Sequence, residues 1–307
     1  MNDCQLVTLL GPTASGKTAF AAALADRLDT EIISADSRQV YRGMDIGTGK
    51  DLEDYAVNGR RIPCHLINLC EPGTKYNVFE YQRDFHRVYR LVCAKGKLPV
   101  LCGGTGLYIE AVLKGYRLPD VPPNPALRES LKDKSPAELE QMLAPYKTLH
   151  NTTDVDNARR AVRAIEIEVC RSRNDPERKE YEPVRSLVIG LHIERERRRE
   201  RISQRLRLRL EQGMVDEVRG LLASGIPPED LIYYGLEYKY LTHYVQGELT
   251  YGEMASRLEI AIHQFAKRQM TWFRGMERRG IHIHWIDASL PTGEKIERAL
   301  ALLNGTD

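Results

Sequence analysis

The sequence lacks a long apolar run and a paired-cysteine pattern. No apolar stretch approaches the ~20 residues that a membrane-spanning helix needs, and the start, Met1 to Cys4, resembles neither a signal peptide nor an Arg-rich transit peptide. The six cysteines show no C-x-x-C spacing, which argues against a zinc site and is typical of a reduced compartment. We therefore expect a cytoplasmic protein that has no membrane partner.

An excess of charge of one sign is also missing. The 45 Lys and Arg residues nearly balance the 43 Asp and Glu residues, and the formal net charge is +2. A nucleic-acid partner would therefore need a local basic patch, because the molecule as a whole has no strong positive field. The 307 residues are enough for one to two domains. We find no internal repeat and no low-complexity tract.

A phosphate-binding motif stands near the start of the chain. The segment Gly11 to Thr18, GPTASGKT, matches G-x-x-x-x-G-K-[ST], follows the apolar run Leu6 to Leu10 and precedes an Ala-rich helical stretch. Glycines in such a loop let successive N–H groups point inward, and the next helix adds its positive N-terminal end. Lys17 supplies a cation and Thr18 a hydroxyl for Mg²⁺. The motif predicts a site for two linked phosphates, whether in a nucleotide or in another diphosphate ester.

Two further loops follow predicted strands. Asp36 comes directly after Glu31 to Ala35, and the glycine turn Gly103 to Tyr108 follows the apolar strand Leu98 to Cys102. In open α/β sheets ligands gather at the carboxyl ends of the strands. We therefore expect Asp36 and the second glycine turn to face the phosphate-binding loop in one pocket.

Strands and helices alternate over the first part of the chain, which predicts a parallel sheet with right-handed crossovers. The sequence pattern changes at residues 118–123, where three prolines mark a boundary. From there to about Pro183 the pattern is typical of helices. The fold class is therefore α/β, a P-loop NTPase-like parallel sheet core with a helical insertion domain. The predicted divisions are residues 1–118 (core, first part), 119–183 (insertion) and 184–307 (core, second part, with C-terminal helices).

The motifs alone leave three functions open. A P-loop kinase would bind ATP, use Asp36 as base or as a water-mediated Mg²⁺ ligand, and close a cationic lid. In an alkyl transfer the diphosphate would be the leaving group, stabilised by Mg²⁺ and Lys17, while Asp36 takes a proton from an attacking amine. A nucleotide-switched RNA-binding protein is less favoured, because Asp36 and Gly103 point to one pocket. No D-D-x-x-D cluster is present, so the P-loop would have to hold the diphosphate.

Four long motifs carry a resemblance to a known family. The P-loop, the segment Asp36 to Thr48, the turn Gly103 to Tyr108 and the segment Ala266 to Arg274 together closely resemble the tRNA dimethylallyltransferase family, over nearly the whole chain. The resemblance implies transfer of the dimethylallyl group of dimethylallyl diphosphate to the exocyclic amine of an adenosine. That adenosine lies 3′ of the anticodon in tRNAs that read codons beginning with U, and the product is N6-(dimethylallyl)adenosine. It also implies that the insertion grips the anticodon stem-loop. The chain ends at Asp307 without the zinc finger of eukaryotic members, so it resembles the bacterial type.

The resemblance also implies roles for individual residues. Asp36 matches the general base, and Lys17, Thr18 and Arg205 complete the implied catalytic set, with Thr18 near Mg²⁺. The implied diphosphate-binding residues are Gly11, Thr13, Ala14, Ser15, Gly16, Lys17, Thr18 and Arg205. The implied tRNA-binding residues are Asp36, Ser37, Arg38, Gln39, Thr105, Arg128, Arg159, Arg160, Ala161, Val162 and Arg163. We expect a monomer with Mg²⁺ as cofactor. The segment Glu237 to Tyr240 departs from the family's usual Gly-Tyr-Arg/Lys-Gln/Glu pattern.

Overall fold

The computed structural model describes residues 4–118, 120–146, 158–173 and 181–305. It divides the chain into two compact units: residues 1–115 together with 182–307 form the first, and residues 116–181 form the second.

The strands of the described residues all lie in the first unit. They are short, and those near the phosphate-binding loop are buried on both faces. Their bounds are β1 (Leu6–Leu10), β2 (Ile32–Ala35), β3 (Ala56–Val57), β4 (Arg60–Arg61), β5 (Cys64–His65), β6 (Val100–Gly103), β7 (Ser186–His192) and β8 (His284–Asp287).

Six of these strands form one parallel sheet in the order β5-β2-β6-β1-β7-β8, while β3 and β4 form a separate antiparallel pair. Alternate residues of a strand serve opposite faces, so that in β1 Leu6 and Leu10 join one core cluster and Val7 and Leu9 join another. A parallel sheet with both faces covered needs such continuous apolar strands. The predicted α/β fold is confirmed.

Helices cover the sheet and build the second unit. Asn77 and Thr250 each close a capping box at a helix N-terminus, which satisfies backbone N–H groups that the helix leaves unpaired. None of the described helices is both long and apolar enough to span a bilayer. The helices are α1 (Lys17–Arg27), α2 (Val78–Ala94), α3 (Gly106–Leu113), α4 (Pro125–Leu131), α5 (Pro136–Leu143), α6 (Ala158–Arg173), α7 (Arg195–Glu211), α8 (Met214–Ala223), α9 (Pro228–Tyr233), α10 (Leu236–Val245), α11 (Tyr251–Arg278) and α12 (Thr292–Asn304).

One predicted strand is much shorter than its sequence suggests. The apolar pattern of residues 63–69 indicates a full strand, but β5 ends at His65. Leu66 and Asn68 have φ angles of 62° and 53°, in the left-handed region that ends an extended chain. The N–H groups of Asn68 and Leu69 instead pair with the carbonyls of Gln39 and Val40, so this segment supports the loop that follows β2.

The second unit is a small helical body with its own core. Leu131, Leu139 and Leu143 pack against Ala161 and Ile165 of α6. The sequence predicts a helix from about Asp154 to Arg171, with Ile165 and Val169 on its apolar side. In the described residues this helix begins at Ala158, and residues 154–157 lie outside the described part of the chain.

Candidate active site

Three neighbouring strands bring the predicted site residues of the first unit together. In the sheet β6 lies between β1 and β2, and all three run in the same direction. The phosphate-binding loop follows β1, Asp36 follows β2, and the second glycine turn follows β6. All three segments line one cavity of about 720 Å³. The structure therefore places the predicted diphosphate loop and the predicted base at the same edge of the sheet.

The phosphate-binding loop depends on its special backbone geometry. Ala14 and Gly16 adopt φ angles of 62° and 80°, and Gly16 leads directly into α1. A Cβ on Gly11 would lie 2.8 Å from the Ser15 hydroxyl oxygen and 3.3 Å from the Leu191 side chain. The loop therefore needs glycine at both ends to curl around the N-terminus of α1, where an anion is stabilised.

Lys17 and Thr18 stand in the first turn of α1 and line the cavity. Within the described part of the chain, the one hydrogen bond of the Lys17 ammonium is a long one, 3.4 Å, to the Pro12 carbonyl oxygen. Burial lowers the pKa of Lys17, and the nearby guanidinium groups of Arg205 and Arg209 act in the same direction, although Cys102 and Asp36 oppose them. A cation that is desolvated and held near other cations gains strongly from a bound anion.

Asp36 is fixed by a local turn. Its Oδ1 accepts the Arg38 N–H at 2.8 Å, which is the hydrogen bond of an Asx turn. Thr105 joins this turn to the neighbouring strand end, because its N–H donates to the Ala35 carbonyl at 3.1 Å and its hydroxyl oxygen accepts the Ser37 N–H at 3.1 Å. These bonds hold one carboxylate oxygen of Asp36 and orient the group on the cavity wall.

Gln269 of α11 links two loops that are far apart in sequence. Its Oε1 accepts the Thr13 N–H at 2.9 Å, and its Nε2 donates to the Gly104 carbonyl at 2.9 Å. The side chain is 8% exposed, so both bonds are shielded from water. One amide group thus fixes the phosphate-binding loop against the second glycine turn.

Two arginines of α7 line the cavity together with residues of the phosphate-binding loop. Arg205 places Nη1 3.5 Å from the Thr13 hydroxyl and Nη2 2.8 Å from Asp51 Oδ2. Arg209, one helical turn later, donates from Nη2 to both oxygens of Asp51 at 3.1 Å. Arg209 is 9% exposed, and burial followed by the charge of Arg205 lowers its pKa.

The loop from Gly43 to Asp51 is held firmly in place. Glu217 accepts three successive N–H groups, from Asp45, Ile46 and Gly47, at 2.8, 2.8 and 3.0 Å. The Lys50 ammonium is buried and donates to the Tyr41 carbonyl, Asp45 Oδ1 and Asn68 Oδ1. The glycine-rich sequence therefore forms a fixed wall of the site, in which Lys50 has a structural role.

Part of the cavity wall is apolar and aromatic. Leu107, Phe265 and Trp272 line it and are 37 to 39% exposed. Trp272 packs so closely on α3 that a Cβ on Gly106 would lie 2.1 Å from its ring, and the Arg279 guanidinium lies 5.7 Å from the ring centre. Exposed apolar side chains in the same cavity as a phosphate-binding loop favour a ligand that has a hydrocarbon part.

The oxygen donors of the cavity fit a hard divalent cation that is bound largely through phosphate. Thr18, Asp36 and Asp54 line it with hydroxyl and carboxylate oxygens, which are the ligands that Mg²⁺ prefers. No cluster of three or more His, Cys, Asp or Glu side chains that could cage a metal occurs in the described part of the chain. Mg²⁺ would therefore be held by few protein groups together with substrate oxygens and water, its usual mode in phosphate sites.

The predicted RNA-binding residues of α4 and α6 lie in the second unit, where four of them contribute to its fold. Arg128 makes two hydrogen bonds to Glu166, at 2.7 and 2.9 Å, and Arg163 donates to Glu166 Oε2 and to the Val121 carbonyl. Ala161 is 1% exposed and belongs to the core of this unit, against which Val162 also packs. Arg159 and Arg160 are exposed on α6.

Four side chains that line the cavity and shape it were not predicted from the sequence as site residues. Gln269 and Trp272 lie within the segment Ala266 to Arg274, but a motif does not state which of its side chains face a loop. Arg209 could have been found from spacing, because it follows Arg205 by four residues and so lies on the same helix face. Asp51 gave no signal, since its partners lie 154 and 158 residues away.

Comparisons with known proteins give consistent results. Residues 39–276 match the family model described as IPP transferase, and residues 4–71 match the model described as isopentenyl transferase. The chain is 70% identical over 304 residues to tRNA dimethylallyltransferase 1 of Parabacteroides distasonis, and the match covers 99% of both chains. It is 64% identical over 304 residues to tRNA dimethylallyltransferase 2 of Phocaeicola vulgatus, again with 99% of both chains covered.

Solved structures agree with this. A tRNA isopentenylpyrophosphate transferase of Bacillus halodurans is 32% identical and has a TM-score of 0.72, with 98% of this chain and 96% of that chain covered. A eukaryotic dimethylallyltransferase acting on tRNA has a TM-score of 0.80 at 20% identity, covering 99% of this chain and 80% of that one. The second likeness concerns the fold alone.

Proposed function

We propose, from the premise that this chain belongs to the IPP transferase family, that it transfers the dimethylallyl group of dimethylallyl diphosphate to tRNA. The acceptor is the exocyclic amine of the adenosine 3′ of the anticodon, in tRNAs that read codons beginning with U. The observation that carries this proposal is the shared cavity, which the phosphate-binding loop, Asp36 and the apolar side chains Leu107, Phe265 and Trp272 line together.

The reaction follows from the chemistry of these three surfaces. The adenosine N6 attacks C1 of the dimethylallyl group while the bond from C1 to the diphosphate oxygen breaks. The departing diphosphate keeps the electron pair of that bond, and Asp36 takes a proton from the amine. Leu107, Phe265 and Trp272 supply an apolar surface on which the hydrocarbon part can lie away from water.

The diphosphate is bound by groups that stabilise growing negative charge. The loop N–H groups, the N-terminus of α1, Lys17 and Arg205 are all in place before the substrate arrives, so little reorganisation accompanies the reaction. Thr18 would contribute its hydroxyl to Mg²⁺. When bound, Mg²⁺ further neutralises the leaving diphosphate.

The tRNA would be contacted by both units. In the first unit, Asp36 to Gln39 and Thr105 line the cavity that a base taken out of the anticodon loop would enter. In the second unit, Arg159 and Arg160 are exposed cations suited to RNA phosphates. We assign Arg128 and Arg163 a supporting part, because Glu166 holds both of them. The protein would act in the cytoplasm as a monomer.

The test is a transfer assay with defined substrates. Purified protein, Mg²⁺ and labelled dimethylallyl diphosphate are mixed with an anticodon stem-loop that carries adenosine 3′ of the anticodon. Label should enter the RNA, and inorganic pyrophosphate should appear in equal amount. The matched control is the same stem-loop with guanosine at that position, which should remain unlabelled.

The same preparation tests the competing class of reaction. A P-loop kinase would convert ATP to ADP in the presence of a small hydroxyl acceptor and would leave the stem-loop unlabelled. That result would overturn the proposal. Labelling of free AMP at the same rate as the stem-loop would instead make the protein a nucleotide prenyltransferase and would contradict the assignment of tRNA as substrate.

A further inference from the structure

Arg205 and Arg209, here called the arginine pair, share a single carboxylate. Asp51 receives both Nη2 groups at 2.8 to 3.1 Å, and its side chain is 50% exposed. Within the described residues, the pair therefore carries one more positive charge than the carboxylate of Asp51 balances. Lys17 adds another cation to the same cavity. Such an arrangement leaves an excess of positive charge beside the phosphate-binding loop.

The charged side chains of the whole cavity lining keep the balance positive. Among the described residues the lining holds four acidic side chains and six cationic ones: the acids are Asp36, Asp51, Asp54 and Glu237, and the cations are Lys17, Arg38, Arg201, Arg205, Arg209 and Arg268. A dianionic or more highly charged ligand is therefore the natural counter-charge for the arginine pair.

The geometry keeps both guanidinium groups at one place. A Cβ on Gly49 would lie 2.4 Å from Arg209 Nη2 and 2.6 Å from Arg205 Nη2, so both groups pack against the backbone of the same loop. Arg205 Nη1 is also 3.5 Å from the Thr13 hydroxyl, within the phosphate-binding loop. The planar fork of arginine binds phosphate oxygens in two-point contacts, and a buried arginine forms them more strongly than an exposed one.

We propose that Arg209 is a second diphosphate-binding arginine and that Asp51 is a placeholder anion, which holds the arginine pair until the diphosphate displaces it. The inference rests on the proposed function for the identity of the diphosphate. It assigns Asp51 a competing role: its carboxylate occupies the positions on the two guanidinium groups that phosphate oxygens take in the complex.

The test measures binding of inorganic pyrophosphate, with Mg²⁺ present, by titration calorimetry. Arg209→Ala should weaken binding about 10-fold or more, since a buried charge-assisted contact is lost. Arg207→Ala is the matched control, because Arg207 is exposed on the same helix and should leave binding unchanged. Arg209→Gln, which fills a similar space without the charge, should weaken binding as Arg209→Ala does and guards against misfolding of the smaller variant.

The direction in which Asp51→Asn changes the affinity for pyrophosphate tests the placeholder role of Asp51. A placeholder anion competes with pyrophosphate, so its neutralisation should tighten binding severalfold. A group that only supports the arginines would give the reverse, and weaker binding in Asp51→Asn would overturn the placeholder role. Equal pyrophosphate affinity in Arg209→Ala, Arg209→Gln and the wild type would overturn the binding role of Arg209.

The same measurements separate this inference from the proposed function. The wild type could transfer no prenyl group and still bind pyrophosphate through Arg209. That result would support the diphosphate-binding role of Arg209 and contradict the proposed reaction. Alternatively, prenyl transfer could be intact while Arg209→Gln changes neither the pyrophosphate affinity nor the KM for dimethylallyl diphosphate. That result would support the proposed reaction and contradict the diphosphate-binding role of Arg209.

Discussion

Asp36 combines a fixed orientation with access to the cavity. One of its carboxylate oxygens is engaged by the Arg38 N–H, and the turn is tied to β6 through Thr105. A base that is oriented before the substrate binds needs no rearrangement in order to accept a proton, and this lowers the barrier to the transfer step. The residue is therefore the most direct point at which to test the chemistry.

We expect Asp36→Asn to lower the single-turnover rate of prenyl transfer by ~10²-fold or more, because the amide cannot accept the proton of the amine. Binding of the stem-loop should change little, since asparagine preserves the shape of the turn. Rapid-quench measurement of labelled RNA, with a parallel filter-binding assay, checks both parts. A normal single-turnover rate would remove Asp36 from the role of general base.

The pKa of Lys17 predicts how the affinity for pyrophosphate depends on pH. Its pKa is lowered chiefly by burial, so the free protein loses this charge at a lower pH than an ordinary lysine would allow. Affinity for pyrophosphate should therefore fall as the pH rises through the lowered pKa. In Lys17→Arg, which stays protonated, the decline should begin at higher pH. Calorimetric titrations across the alkaline range measure this, and an identical decline in both proteins would assign the titration to another group.

At the scale of elements, α11 matters because it reaches across the sheet edge. Gln269 satisfies one N–H of the phosphate-binding loop and one carbonyl of the second glycine turn. Trp272, less than one turn further on, packs on the first residue of α3. This one helix therefore fixes the relative positions of the loops that follow β1 and β6.

We expect Gln269→Leu to lower the free energy of unfolding by about 1–3 kcal/mol, because it leaves two buried backbone groups without a partner. Pyrophosphate affinity should fall as well, since the Thr13 N–H is no longer held. Gln264→Leu is the matched control, as Gln264 is exposed on the same helix. Urea unfolding and calorimetry provide the two readouts. Loss of stability without loss of affinity would mean that Gln269 serves the fold alone.

The sequence predicts these elements well where local patterns determine them. The apolar run of β1, the phosphate-binding loop and the capped helices α2 and α11 follow from residues that are neighbours in the chain. The strand predicted over residues 63–69 is wrong beyond His65, because the left-handed backbone at Leu66 leaves no mark in an apolar pattern. Contacts such as Glu217 on the loop at Asp45 span 172 residues, and no local rule contains them.

At the scale of the whole molecule, the second unit is organised around a buried acid. The Glu166 side chain is fully buried and accepts hydrogen bonds from Arg128, Arg163 and the Asn124 N–H. Burial opposes its charged form, but these partners hold its pKa below the usual value. Two of the predicted RNA-binding arginines thus also stabilise the fold of this unit, and the other two arginines of the predicted set, Arg159 and Arg160, are exposed on α6.

We expect the double variant Arg159→Ala/Arg160→Ala to weaken binding of the stem-loop and to reduce the salt dependence of log K by roughly 0.7 to 0.9 for each phosphate contact that is lost. Pyrophosphate affinity should stay unchanged. Arg60→Ala/Arg298→Ala removes two exposed arginines of the first unit and serves as the control. Fluorescence anisotropy at several salt concentrations measures the slope. Equal slopes in the two double variants would contradict an RNA-binding role for α6.

The contact between Gln269 and the Thr13 N–H has a consequence for biosynthesis. Thr13 leaves the ribosome early, whereas Gln269 follows it by 256 residues, a delay of roughly 13 to 50 s at ordinary rates of translation. Until then the loop lacks the partner that holds it against the second glycine turn. The nascent chain therefore acquires its competence for substrate only near the end of translation, and a prematurely terminated product should neither sequester the prenyl donor nor compete for tRNA in this cavity.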